Sequence, residues 1–310
     1  MLQEGTNTYA LNSNGTGTIN YDIANDLNIL ASKDTYTMTS ETETKNAGGS
    51  VGNNAVQLNY GQSESNSRIF STTYNNVDII ANNINIKTGN NTDIKGANVL
   101  AQATTDNSNN TIGGNINMDI GNNLNIESLQ DSYYAKSKSS NFGLNIGGGK
   151  TASGGNSASA GFNFGKTDST TDSQWVNEQT SIIADNNINI RTNNNTNLIG
   201  SVVASNTNNL TLTTNSLTYQ DLNDFYREET KGYNFGTSVG GNTDKGKANM
   251  APNGSTTIGL THTGQEREQI TRATIGLGNI TIHSEPFTPT PLPQGAMDIL
   301  AGLNTSIDKL

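Results

Sequence analysis

The sequence predicts an all-β chain: a right-handed parallel β-solenoid (β-helix) with extruded β-hairpins and a short C-terminal helix. Three observations predict it. A short alternating strand recurs six times, a longer block recurs intact, and the composition fills only a narrow core.

The short unit alternates an aliphatic residue with Asn or Thr, usually after an Asn pair. It reads NDLNIL at Asn25–Leu30, NNINIKT at Asn82–Thr88 and NNLNIES at Asn122–Ser128, then NNINIRT at Asn186–Thr192, NNLTLTT at Asn208–Thr214 and GNITIHS at Gly278–Ser284. Residues two apart share a face, so Ile84 and Ile86 point one way and Asn85 the other. The Asn pair supplies a turn, because Asn tolerates left-handed φ and its side chain bonds nearby backbone. The longer block, Asn82–Ala101, matches Asn186–Ser205 and aligns Ile84 with Ile188, Thr92 with Thr196, Ile94 with Leu198 and Gly96 with Gly200. Coils of ~20 residues stacked at ~4.8 Å follow from this. Isoleucines line the inside, and Asn and Thr ladders lie outside or at the corners. Neither end reads as capped, which fits a segment of a longer solenoid.

Composition bounds the rest. Of 310 residues, 31% are hydrophobic and 14% charged, too few apolar residues for a wide spherical core. The net charge of −10 offers no basic field to nucleic acid. With no cysteine, disulfides and thiol metal sites are excluded. No stretch reaches the ~20 apolar residues of a membrane helix. The opening residues form no export signal, so a secreted protein would carry that signal outside this chain.

Irregular inserts interrupt the solenoid of residues 1–284 near 31–76, 129–180 and 215–274. Each opens on a Tyr-bearing segment: SKDTYTMTS, SLQDSYYAKS and NSLTYQDLNDFYREE. NFGLNIGGG (Asn141–Gly149) and SAGFNFGKT (Ser159–Thr167) read as two arms of a hairpin, as do GYNFGTSVGG (Gly232–Gly241) and STTIGLTHT (Ser255–Thr263). Residues 285–295 hold four of the five prolines and read as an extended linker. Across 296–310, Ala296, Leu300, Leu303, Ile307 and Leu310 make one face of a short helix.

Candidate chemistry is sparse, and no catalytic, cofactor or metal residues are assigned. His262 and His283 are far apart in sequence and lack a third ligand. The acids Asp221, Asp224, Glu228 and Glu229 lie within one insert rather than recurring at one-coil spacing. They read as a solvated, locally helical patch, with a polysaccharide-cleaving carboxylate pair as the alternative. Aromatics are the better candidates. Tyr133, Tyr134, Phe142, Phe162, Phe164 and Trp175 fall in one insert, and Tyr226, Tyr233 and Phe235 in the next, with Tyr219 and Phe225 nearby. Either they pack hairpins onto the solenoid wall, or they form an exposed surface for a receptor, glycan or membrane.

The strand NNINIKT…TDIKGANVLA, the Tyr-bearing insert and the SAGFNFG hairpin resemble the haemagglutinin-repeat region of filamentous haemagglutinin-like exoproteins, from Tyr21 to about Ser284. These are the secreted partners of two-partner (type Vb) secretion, among them contact-dependent growth inhibition effectors. The resemblance implies export through a dedicated outer-membrane transporter to the bacterial cell surface. It implies a role in adhesion or in delivering a C-terminal toxin, and no enzymatic activity. A passive stalk scaffold is the remaining alternative.

Overall fold

Alternating aliphatic strands stay soluble only by closing a shared interior, and a stack of coils does this with short strands. The computed structural model describes residues 1–283 apart from 107, 245 and 246, with side chains outside 244–253. The linker and helix expected over 285–310 lie outside the described residues, and those described contain no helix.

The solenoid has three parallel walls. The first stacks Thr18–Ile23, Asn83–Thr88, Asn115–Ile120, the starts of Asn187–Ile199 and Asn209–Gln220, and Gly278–Ile282. The second stacks Leu2–Glu4, Leu27–Leu30, Thr92–Lys95, Leu124–Glu127 and the ends of the same two long strands. The third stacks Thr8–Ala10, Val77–Ala81, Ala97–Ala101, Ser181–Ala184, Val202–Ser205 and Thr274–Ile275.

Each wall sends alternate residues inward in columns, among them Ile84, Ile116 and Ile188 from the first, Ile29, Ile94 and Ile126 from the second, and Ile79, Val99 and Ile182 from the third. All nine are fully buried. Each contributes about 1.5–3 kcal/mol by leaving water. Outside, Asn189 donates to Asn117, Asn117 to Asn85 and Asn85 to Asn20, at 2.8–3.1 Å. Threonine pairs as well at the corner between the first and second walls. Thr88 and Thr92 are buried and bonded to each other at 3.0 Å, and Thr196 donates to Thr192 at 3.1 Å. Paired hydroxyls satisfy one another, which makes them tolerable in an apolar interior.

Three hairpins leave the corner between the second and third walls. Their arms are Ser32–Val51 with Ala55–Asn75, Asp131–Lys150 with Asn156–Trp175, and Leu222–Asp244 with Lys247–Thr271. They leave from every second coil. The coils between turn the same corner on Gly96 and Gly200, at φ of 62° and 53°. A Cβ on Gly96 would stand 2.6 Å from that of Ala31 and 3.0 Å from Leu129 Cδ1, at the feet of the first two hairpins. Glycine is what lets those feet close over the plain coil.

Spacing then decides the assembly. Two coils advance ~9.6 Å, and so do the two strands of one hairpin, so successive hairpins arrive at pairing distance. They merge into one antiparallel sheet of six strands, the return arm of each pairing with the outgoing arm of the next. Correcting the expected third insert, Asn215–Gln220 stays on the solenoid: Leu217 is buried and Tyr219 packs against the core.

Candidate functional site

The hairpin sheet is a single layer, so alternation gives it two faces of different chemistry. Phe142 stands opposite Phe164, and Phe164 opposite Phe235. Counting by twos from that row collects Tyr60, Leu144, Ile146, Phe162, Tyr233, Val239, Ile258 and Leu260 on the same face, in the outer half of the arms. Every one of these is exposed, from 38% at Tyr60 to 84% at Leu260. The rings cluster, with Phe235 lying 5.7 Å from Phe162 and 5.5 Å from Phe164. Charge enters the same face at Lys45, in the row of Phe142, and at Lys166, in the row of Tyr233. One row nearer the solenoid stand Lys138, Asp168, Lys231 and His262. Lys45 pairs with Glu43, Lys166 with Asp168, and Lys231 with Glu229. The Lys231 bond and then the His262 contact hold the Glu229 carboxyl below its usual range.

The opposite face of the outer half carries Gly, Asn, Ser and Thr almost throughout, with Gln57 and Ala55 beside them. Asn lies across from Gly at Asn46–Gly61, Asn141–Gly165, Asn145–Gly161, Asn163–Gly143 and Asn234–Gly259. The space a Cβ would take at Gly143 is filled by Asn163 Oδ1 at 2.3 Å. The result is a flat checkerboard flanked by Ser and Thr. Toward the foot this face carries one row of Tyr36, Ser71, Tyr133, Ser173, Tyr226 and Arg267. The Tyr226 hydroxyl donates to Glu228 at 2.7 Å, and that bond pushes its phenol up.

The feet are welded by the aspartate two residues before each of the later tyrosines. Asp131 accepts from Tyr74 N at 2.7 Å and Asn177 Nδ2 at 2.6 Å. Asp224, 1% exposed, accepts from Gln130, Val176 N, Gln269 and Thr271 at 2.6–3.1 Å. Each carboxylate thereby joins an outgoing arm to the preceding return arm. Four hydrogen bonds offset the cost of burying the Asp224 charge.

Of the nine aromatics singled out from the sequence, six share the apolar face (Tyr134, Phe142, Phe162, Phe164, Tyr233 and Phe235), and Tyr133, Trp175 and Tyr226 take the other. None belongs to the solenoid core. Sequence reading missed Leu260, Ile258, Tyr60 and Tyr36, whose partners become visible only in the cross-strand register. Its acid cluster is a strand rather than a helix, because Leu222–Asp244 pairs on both sides. Alternation sends Glu228 and Glu229 to opposite faces while Asp224 is consumed in the foot, so these acids do not converge on a substrate.

Comparison with known families adds a decisive observation. The hemagglutinin repeat matches residues 4–142, 103–235 and 162–286, together most of the chain. The chain belongs to the hemagglutinin repeat family. Each matched window contains one complete hairpin, so the family's repeat corresponds to a hairpin-bearing coil with its neighbours. Hemagglutinin repeats are structural repeat segments of large secreted surface proteins. Comparison with curated proteins and with solved structures gives no match.

Proposed function

We propose that this repeat segment acts at the envelope of a target cell, in adhesion or in delivery of a downstream toxin, and that the apolar face of the hairpin sheet meets the lipid bilayer. One observation carries the reading: exposed apolar side chains of the hairpin arms gather on one face, backed by Gly, Asn, Ser and Thr. Half-exposed side chains of this size total on the order of 1,000 Å², more than the few hundred Å² an ordinary monomer leaves uncovered.

The dimensions support lipid as the occupant. From Phe142 to Gly148, or Tyr233 to Gly241, the apolar band runs roughly 20–30 Å along the arms, comparable with the ~30 Å hydrocarbon core. Strands alternating apolar and small polar residues over such a length suit a bilayer surface. The charged row of Lys138, Asp168, Lys231 and His262, next to the band on the solenoid side, sets the depth limit. Both outer arms have an open edge, and unpaired backbone is not tolerated in hydrocarbon. This chain by itself therefore docks face-down at the interface.

Flotation with phosphatidylethanolamine–phosphatidylglycerol vesicles tests it. The wild type should rise with the vesicles. The double variant Ile258→Asp, Leu260→Asp should stay behind with unchanged melting, since both side chains are already exposed at 71% and 84%. Equal flotation of the two proteins, or none for the wild type, overturns the reading.

A further inference from the structure

The apolar face does not account for the tyrosine row on the other side. Tyr36, Tyr133 and Tyr226 occupy the same position in the outgoing arms of the three hairpins, in KDTYT, QDSYY and NDFYR. The register places them in one line across the sheet, separated by Ser71 and Ser173. Tyr36 is 54% exposed and Tyr133 38%, while Tyr226 is half-buried. The serines between leave the flank of each ring open. At one end the line runs into a shallow groove of ≈ 350 Å³ lined by Ser173, Trp175, Tyr226, Gln265 and Arg267.

We propose that this row is a binding track for a linear, neutral, β-linked polysaccharide. Strands stand ~4.8 Å apart, so tyrosines on every second strand repeat at roughly 9.6 Å, the advance of two β-linked pyranose rings. Every second sugar then presents its C–H face to a tyrosine, and the rings between lie over Ser71 and Ser173. Arg267 ends the row. In the next row out, Met38, Ile69 and Ala135 continue the apolar contact beside Tyr36 and Tyr133, while Thr171, Glu228 and Gln265 beside Tyr226 exchange hydrogen bonds with sugar hydroxyls. The outer face beyond is hydroxyl- and amide-covered and flat, which suits a hydrated chain rather than lipid. A polyanion is disfavoured by Glu228 beside the track and by a net charge of −10. The spacing follows from the two-coil period, so the track is a product of the repeat itself.

Trp175, the sole tryptophan, lines the groove and reports on it. Cellohexaose, chitohexaose and cellobiose are titrated against the whole chain, read by Trp175 emission and by calorimetry. Saturable binding of at least one hexaose, about tenfold or more tighter than cellobiose, is expected because only the hexaose bridges tyrosines. Tyr133→Ala, at the centre of the row, should reduce hexaose binding to the cellobiose level with unchanged melting, and Tyr133→Phe should retain it. The Ile258→Asp, Leu260→Asp variant should bind the hexaose normally, which separates this track from the lipid-facing surface. No saturable binding of either hexaose, equal affinity for hexaose and cellobiose, or indifference to Tyr133→Ala overturns the proposal.

Discussion

The solenoid and the hairpin sheet are built from the same alternating pattern and reach opposite outcomes. In the solenoid the walls close on one another, so Ile84, Ile116 and Ile188 face an interior and are fully buried. In the hairpins the layer is single and meets no second layer among the described residues, so Phe142, Ile258 and Leu260 remain in water. Period-two alternation states which residues share a face, not whether that face is covered. Coverage comes from architecture.

Four tests bear on that contrast, from the largest expected effect to the smallest, with Asn85→Thr as the control for the first. Ile84→Asn or Ile188→Asn removes about 1.5–3 kcal/mol of burial and strands an amide, for a total loss of about 3–5 kcal/mol in denaturant unfolding. Asn85→Thr on the outer ladder should cost under about 1 kcal/mol, since Thr211 already occupies that column. Comparable losses at positions 84 and 85 would mean the strand faces are reversed.

Gly96→Leu should come next, at roughly 2–4 kcal/mol, because φ of 62° is strained for leucine and the feet at Ala31 and Leu129 must part. Circular dichroism melting gives the loss, and faster hydrogen exchange across the pairing of 55–75 with 131–150 locates it. Unaltered exchange there would show that the hairpins associate without help from the corner.

Asp224→Ala leaves Val176 N and Thr271 Oγ1 without their acceptor, at about 1–3 kcal/mol. The loss should appear in exchange at the third hairpin's foot while Ile84 and Ile116 stay protected. Equal deprotection of both regions would make the two parts one cooperative unit.

Deleting Gly143–Phe164 should have the least effect on the solenoid, shifting its melting by a few degrees at most, because the outer arms add nothing to coil stacking. The same deletion should strongly weaken vesicle flotation by removing Phe162, Leu144 and Ile146. A collapse of solenoid melting would show that the arms carry its stability.

Much was legible without coordinates. The Asn-pair strands, the inward Ile84 and Ile188 and the Phe142–Phe164 arms all follow from period two and turn chemistry, which are local. The equivalence of Gly96 with Gly200 was visible, but not its reason. Threonine at the corners was legible as well, but not its burial, because hydroxyl pairing across a corner leaves no trace in a linear pattern. The acids at 221–229 were misread as a helical patch, since strand pairing on both sides overrides local propensity.

By itself the sequence determined the repeat, the side each strand residue takes and the hairpins as separate pairs. Only the tertiary structure decided that the hairpins form one sheet. Because two coils advance as far as two strands, arms distant in sequence meet at pairing distance. That meeting gathers the apolar side chains on one face and sets Tyr36, Tyr133 and Tyr226 in a line. A single hairpin carries only part of the apolar face and one tyrosine of the row; their full extent depends on distances fixed by the solenoid.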